Sequence, residues 1–358
     1  MLIDNRIKAF VTLGEFLEQF TNTNNKATNN ALNERFYSLF DELISTVHIY
    51  NGWFTPENVR NAIGGIVELL KKDTLIDWIS AYINELSRTN KTKKIAVIMA
   101  GNIPMVGFHD MLCILISGNK FIGKLSSDDK LLLPAISKIL IAIEPEFEEY
   151  IQFNDTTLKD IDAVIATGSN NSSRYFEYYF GKYPHIIRKN RNSVAILTGK
   201  ESKNELNALG KDIFQYFGLG CRNVSKLFVP KGYQFDPFYE AIFDYGYVIN
   251  NNKYSNNYDY NRTVYLMNNS SNMLDNNFLL LKEDSNYSSP IGVVYYEHYE
   301  NEESVKQKLT NDIAHIQCIV GNSFSGLNTI SFGSTQLPKP TDYADGIDTM
   351  HFLIKLQE

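Results

Sequence analysis

Little in these 358 residues marks a protein that binds nucleic acid, crosses a membrane or is held by disulfides. Lys and Arg number 34 against 41 Asp and Glu, a net charge of −7, so no surplus of cations is available to displace counterions from nucleic-acid phosphates. The expected partners are small molecules. No apolar run reaches the roughly 18 residues that a membrane-spanning helix needs, and the opening MLIDNRIKAFV carries charges and lacks a cleavable apolar stretch. A cytoplasmic protein is expected. The three cysteines, at 113, 221 and 318, cannot all pair, and their wide spacing fits neither a disulfide framework nor a zinc knuckle. Reduced thiols follow. The six histidines form no pair at metal-ligand spacing and no carboxylate cluster suggests a divalent cation, so metal-free chemistry is expected. Repeats of solenoid period and heptad runs are both missing.

What is present is a chain 44% hydrophobic and 21% charged, longer than one core usually grows, which predicts two packed units. The first ninety residues read as helices, with apolar positions at helical spacing and a polar linker at Thr21 to Asn30. From Lys93 the texture changes. IAVIMA and Asp162 to Thr167 are short continuous apolar runs typical of strands buried on both faces, and turn-rich segments and helix-length segments follow each. Lys120 to Lys124, Ser193 to Leu197, Val224 to Val229, Arg262 to Met267, Phe278 to Leu281 and Ile291 to Tyr296 are further strands. A helix opens at Ser126 to Asp129, and Asn250 to Tyr260 reads as a polar surface loop. Strand, turn, helix, strand in this order predicts an α/β fold with a parallel sheet.

GLGCRNVSKLFVP, Gly218 to Pro230, is the most informative stretch. Cys221, between Gly220 and Arg222 and between a helix and a buried strand, can be held on a tight turn, and a nearby guanidinium favours the reactive thiolate. Cys113 and Cys318 sit inside apolar runs and read as core. GNIP, Gly101 to Pro104, follows a buried strand, which puts Asn102 at the carboxyl edge of a parallel sheet. There its amide can donate to an oxyanion, or it can simply satisfy the turn. Lys124 ends another strand. Thr167, Gly168 and Ser169 lie at a strand-to-helix junction, either an ordinary N-cap or a place where amides hold a phosphate.

Together and in order, from about Lys93 onward, these stretches resemble the aldehyde dehydrogenase superfamily, and within it the acyl-CoA reductases of the LuxC type. Asn102 in GNIP matches the superfamily's Asn-Phe-Pro element, Lys124 in GKLSS its Lys-Pro-Ser-Glu, Gly168-Ser169 its Thr-Gly-Ser cofactor turn, and Cys221 its nucleophile. The tail SFGSTQLPKPTDYADGIDTMHFL is similar to a LuxC-type ending. Where hydrolytic members carry a glutamate base, Arg188 to Asn192 reads RKNRN, which leaves no carboxylate there to activate water.

The resemblance implies an aldehyde-dehydrogenase-like fold: a helical part over residues 1–90 packed on a Rossmann-type cofactor domain over 91–200, a catalytic domain over 201–330 and an oligomerisation segment over 331–358. Its final strand would join a neighbouring subunit, giving a homo-oligomer. The implied activity is reduction of a fatty acyl thioester to an aldehyde through a thioacyl intermediate on Cys221, with Asn102 and the Cys221 N–H as oxyanion donors. Lys124, Ser126, Ser127, Thr167, Gly168 and Ser169 would hold the nicotinamide cofactor. NADPH is expected and NADH is the alternative, because Ser127 stands where a ribose-reading glutamate would exclude a 2′-phosphate. Two other readings stay open: a catalytically silent binding protein of the same fold and an acyl-phosphate reductase.

Overall fold

A computed structural model describes all residues except 22–29, 89–90, 155–157, 169, 269–272, 323 and 325. Residues 22–29 of the polar linker and Ser169 of the cofactor turn therefore lie outside the described residues. The chain divides into two units, Met1–Lys189 with Pro338–Glu358, and Asn190–Leu337, rather than at the expected boundaries of 200 and 330.

The first unit is built on five parallel strands, β1 (Lys94–Ile98), β2 (Lys120–Lys124), β3 (Ile151–Phe153), β4 (Ala163–Thr167) and β5 (His185–Arg188), in the order β3-β2-β1-β4-β5. The apolar runs that predict β1 and β4 are buried in the structure, as strands covered on both faces require. The chain first builds outward from β1 through β2 to β3, then returns to the other side of β1 for β4, so the order reverses between β1 and β4. Ligands of open α/β sheets bind beyond the carboxyl ends at such a reversal.

Helices cover this sheet for plain reasons of sequence. The helix Pro56–Leu70 starts with proline at its first turn and Thr55 as cap, whose hydroxyl accepts the N–H of Asn58 at 3.2 Å. Its buried Val59, Ile63, Ile66 and Leu70 repeat at helical spacing and pack on the helix Ile3–Glu18. The helix Phe108–Ile116 is apolar on nearly every side and buried accordingly. Asp110 is buried within it because Arg188, at the end of β5, answers it with two 2.7 Å hydrogen bonds.

The second unit has seven strands, β6 (Asn192–Ile196), β7 (Val224–Pro230), β8 (Met273–Asp275), β9 (Leu280–Glu283), β10 (Val293–Tyr299), β11 (Ile316–Val320) and β12 (Thr329–Ile330), ordered β12-β11-β6-β7-β10-β9-β8. All neighbours are parallel except β8 and β9. Lys226 of β7 is fully buried. Its ammonium reaches Glu297 at 2.6 Å and the Ser285 carbonyl at 2.9 Å, and Glu297 also takes Lys308 at 2.6 Å.

Four expectations are corrected. Asn250 to Tyr260 and Arg262 to Met267 are neither loop nor strand: they form one helix, Asn252–Met267, capped by the Asn251 side chain. Tyr254, Tyr258 and Asn261, four and three residues apart, supply its buried face, and tertiary burial overrides the local turn preference of asparagine. The helix expected to open at Ser126 to Asp129 begins at Leu132, because Asp129 is turned inward to hold a neighbouring loop. The tail DTMHFL provides no edge strand for another subunit. It is the helix Thr349–Lys355, and its Met350, Leu353 and Ile354 are buried in the first unit.

Candidate active site

In the first unit, the candidate cofactor residues gather at one edge. Lys124 ends β2, Asn102 follows β1, and Thr167 ends β4, on three adjacent strands. Register reinforces this, since Ile98 pairs with Lys124 and the N–H of Met99 donates to the Lys124 carbonyl at 3.1 Å. Asn102 and Ser127 are exposed, and Lys124, Ser126 and Thr167 are half-buried. A Cβ on Gly101 would lie 2.6 Å from the Ser126 hydroxyl, so the loops after β1 and β2 touch there only because residue 101 is glycine.

Gly168 opens the crossover to the helix Asn170–Phe180. A Cβ there would lie 2.9 Å from both Ser172 and Phe176, so only glycine lets this helix pack so closely over the end of β4. That packing sets the N-terminal end of an eleven-residue helix at the reversal of strand order. A strand-end hydroxyl, a lysine and helix-end amides are suited to the phosphates of a dinucleotide.

Sequence reasoning did not foresee how the Asn102 loop is fixed. Met105 adopts a left-handed conformation with φ +60°, and its N–H donates to Asp129 Oδ2 at 2.7 Å. Burial pushes the Asp129 carboxyl up to about 6, and its other oxygen is buried without a hydrogen-bond partner. Asp129 is thus committed to the loop. An Asp three residues after a strand-end Gly-Lys-Leu-Ser gave the only hint of it.

In the second unit, Cys221 is exposed while Cys113 and Cys318 are buried, and the three form no disulfide. Burial also pushes the Cys113 thiol up, away from thiolate. Cys221 occupies a corner of a β-turn in which the Asn223 N–H donates to the Gly220 carbonyl at 2.9 Å. Asn223 closes the turn a second way. Its side-chain oxygen accepts the Gly220 N–H at 2.8 Å, while its amide donates to the carbonyls of Gln215 at 2.8 Å and Asp212 at 3.0 Å, where the helix Lys203–Phe214 runs out.

Immediately before the turn, Tyr216, Phe217 and Gly218 are left-handed in succession, with φ of 54°, 58° and 78°. For the two aromatic residues this costs roughly 1–2 kcal/mol each. Such strain persists because the surroundings over-determine it. The Asp212 carboxylate accepts the N–H groups of Gly333 and Thr335 at 2.6 and 3.0 Å, and Arg222 donates its Nε–H to the Thr335 carbonyl. The guanidinium expected to bias the thiol ties the cysteine turn to the Gly333–Thr335 segment of the tail. Asn223, Asp212 and Thr335 were missed in the sequence. Of these only Asn223, at the last position of a glycine-containing turn, had a readable signal.

The stretch RKNRN carries no carboxylate of its own, but the fold brings one to it: Asp345 accepts the Lys189 N–H at 3.2 Å. Among the described residues, no group of three or more His, Cys, Asp or Glu is arranged to hold a metal ion, and no helix is long and apolar enough to cross a membrane.

Solved structures with the same fold include aldehyde dehydrogenases. Aldehyde dehydrogenase 21 of Physcomitrella patens, in complex with the reaction product succinate, aligns with TM-score 0.61 at 13% identity over 99% of this chain and 88% of its own. An NAD+ complex of the Bacillus cereus aldehyde dehydrogenase aligns with TM-score 0.59 at 13% identity, over 87% and 70%. The Mycobacterium tuberculosis enzyme complexed with NAD+ gives 0.55 at 12%, over 84% and 70%. Comparison with curated proteins yields no match. A family model described as acyl-CoA reductase (LuxC) matches residues 11–240, which include the Asn102 loop, the β4 crossover and the Cys221 turn. With well over half of its length matched, this chain belongs to the LuxC acyl-CoA reductases, and its fold is that of the aldehyde dehydrogenases.

Proposed function

We propose that the chain reduces a fatty acyl thioester to an aldehyde through a thioester on Cys221. The observation that carries this reading is the Cys221 turn: the one exposed thiol of three stands at the corner of a doubly closed turn, behind a strained left-handed run. Packing alone has no use for such an arrangement. It presents a thiol at a fixed angle, as a nucleophile must be presented.

In the first step the Cys221 thiolate attacks the thioester carbonyl carbon. A carbon–sulfur bond forms, the bond to the carrier sulfur breaks, and the carrier thiolate leaves with the electron pair. The acyl group is then held on Cys221. A reduced nicotinamide, which Lys124, Ser126 and the Gly168 crossover would hold, would supply the hydride that reduces this acyl group to the aldehyde level. On release of the aldehyde the carbon–sulfur bond to Cys221 would break, with its electron pair returning to sulfur as the thiolate. Asn102 is assigned to the oxyanion on the resemblance and on its exposed place after β1.

The residues at the edge of the first sheet fit a dinucleotide. Lys124 and Ser126 offer a cation and a hydroxyl, and Gly168 admits the helix end. Solved relatives of the same fold hold NAD+, and Ser127 favours the phosphorylated form here because a hydroxyl, unlike a glutamate, does not repel a 2′-phosphate. The test is intact mass after incubation with a long-chain acyl-CoA. The expected result is one acyl adduct on wild type and none on Cys221→Ala, with adduct loss and aldehyde release when NADPH is added. An adduct that survives in Cys221→Ala overturns the reading.

A further inference from the structure

The opposite edge of the first sheet holds a polar cavity of about 130 Å³, several times what one water requires. Its lining includes Arg6, Lys91, Thr92, Ser117, Tyr150 and Gln357. Lys91 precedes β1, Ser117 precedes β2 and Tyr150 precedes β3, so the cavity opens at the amino ends of these strands. Asn102, Lys124 and Thr167 lie at the carboxyl ends, and none of the residues assigned to the reaction lines this cavity.

Arg6 is the unusual member. Its side chain is 8% exposed, it donates to the Ile116 carbonyl, and its Nε–H is buried with no hydrogen-bond partner. No carboxylate among the described residues pairs with it. Glu146 is engaged instead with the amino group of Met1 at 3.4 Å. A guanidinium cannot shed its proton to escape burial, so a buried one is expected to have an anionic partner. In this fold the position is built for it: Gly118 is left-handed at φ +80°, and a Cβ there would lie 2.7 Å from the Arg6 guanidinium. Further positive charge is near at hand, with Lys91 on the lining and the Lys120 ammonium 5.7 Å from the centre of the Tyr150 ring.

We infer that this cavity is an anion site, separate from the reaction centre, that takes a tetrahedral oxyanion of the phosphate class as the counter-ion of Arg6. A phosphate there faces the Arg6 guanidinium, whose charge no carboxylate among the described residues meets, and Lys91 at the mouth. Bound, it links the helix Ile3–Glu18, the turn entering β2 and Gln357, whose amide already donates to the Ser117 carbonyl at 3.0 Å. The site stands or falls independently of the acyl-transfer reading.

The test is thermal unfolding of the full chain in inorganic phosphate, in glycerol 3-phosphate and in sodium chloride, all at one ionic strength, with calorimetric titration of each anion. The expected result is a rise in Tm of several degrees in phosphate over chloride, lost in Arg6→Met. In chloride alone Arg6→Met should melt no lower than wild type, because it removes an uncompensated buried charge. A response to inorganic phosphate alone identifies the free ion, and an equal response to glycerol 3-phosphate identifies a phosphate-ester ligand. Should Arg6→Met fail to fold, Lys91→Glu must weaken phosphate binding at least tenfold. No phosphate increment in wild type, an increment retained in Arg6→Met, or unchanged affinity in Lys91→Glu each overturns the proposal.

Discussion

Asp129 accepts the backbone N–H of Met105 at 2.7 Å, and through that bond a buried carboxylate sets the loop that displays Asn102. Its folded-state pKa of about 6 lies above the ordinary 3.8. Between those values the folded protein keeps a proton that the unfolded chain has lost, so stability from this group falls as pH rises from about 4 to about 6. A shift of this size corresponds to about 3 kcal/mol. In Asp129→Asn the acceptor for Met105 remains and the slope disappears. Chemical denaturation across pH 4 to 7 should give a flatter stability profile for the variant, which should be at least as stable as wild type at pH 7. An unchanged slope refutes the role given to Asp129.

Cys221→Ala should abolish acyl transfer and leave the unfolding midpoint nearly unchanged, because an exposed thiol contributes little packing. Cys113→Ala should do the reverse, lowering stability by about 1 kcal/mol with activity retained, since Cys113 is fully buried. Turnover and denaturation measured on both variants check the assignment. Exchanged phenotypes would mean that the wrong cysteine has been chosen.

Asn223 separates a positioning role from a chemical one. Asn223→Asp keeps an oxygen for the Gly220 N–H but replaces the amide donor that serves the Gln215 and Asp212 carbonyls. The loss should be about 2–3 kcal/mol of stability, with a lower rate of acylation. Cofactor affinity, measured by fluorescence titration, should stay the same. A variant with wild-type acylation would show that the turn needs no such closure.

The Asn102 amide, if it meets the oxyanion, acts mainly in the transition state. Asn102→Ala should therefore lower the acylation rate by roughly a hundredfold with little change in NADPH affinity. A pure loss of cofactor binding would move Asn102 to another role.

Ser127→Glu places a carboxylate where a 2′-phosphate is expected to lie. The ratio of kcat/KM for NADPH to that for NADH should fall at least tenfold in the variant. If wild type prefers NADH, or the ratio does not move, residue 127 does not read the ribose.

The parallel sheets were legible because their strands are continuous apolar runs: β1, β2, β4, β6 and β7 lie where IAVIMA, KFIGK, DAVIAT, SVAIL and VSKLFV predict them. Asn252–Met267 was not legible, since its buried face rests on two tyrosines and an asparagine set among turn-forming residues. At the candidate site, glycine beside Cys221 was a local signal for the turn found there. The groups that hold the turn were not local. Asp212 and Thr335 meet across 123 residues of sequence, and nothing in Gln-Tyr-Phe-Gly announces that two aromatic residues will be left-handed. Such conformations are imposed by the assembled fold, which no window of neighbouring residues contains.

The interruption of the first unit by the second has a consequence for how the protein is made. Translation delivers Met1–Lys189 first, but Pro338–Glu358, which belong to the same unit, emerge only after all of Asn190–Leu337. Until then the helix Phe108–Ile116 lacks the residues that pack against it, Met350 and Leu353 among them, and the Asn119 side chain lacks Gln357. Growing at about 5–20 residues per second, the nascent chain keeps that apolar helix open for many seconds on the ribosome. The second unit has its whole sequence in hand before this happens. Of the two units, the one whose synthesis starts earlier is therefore the one completed later, and it is the one that chaperones have the longer time to find.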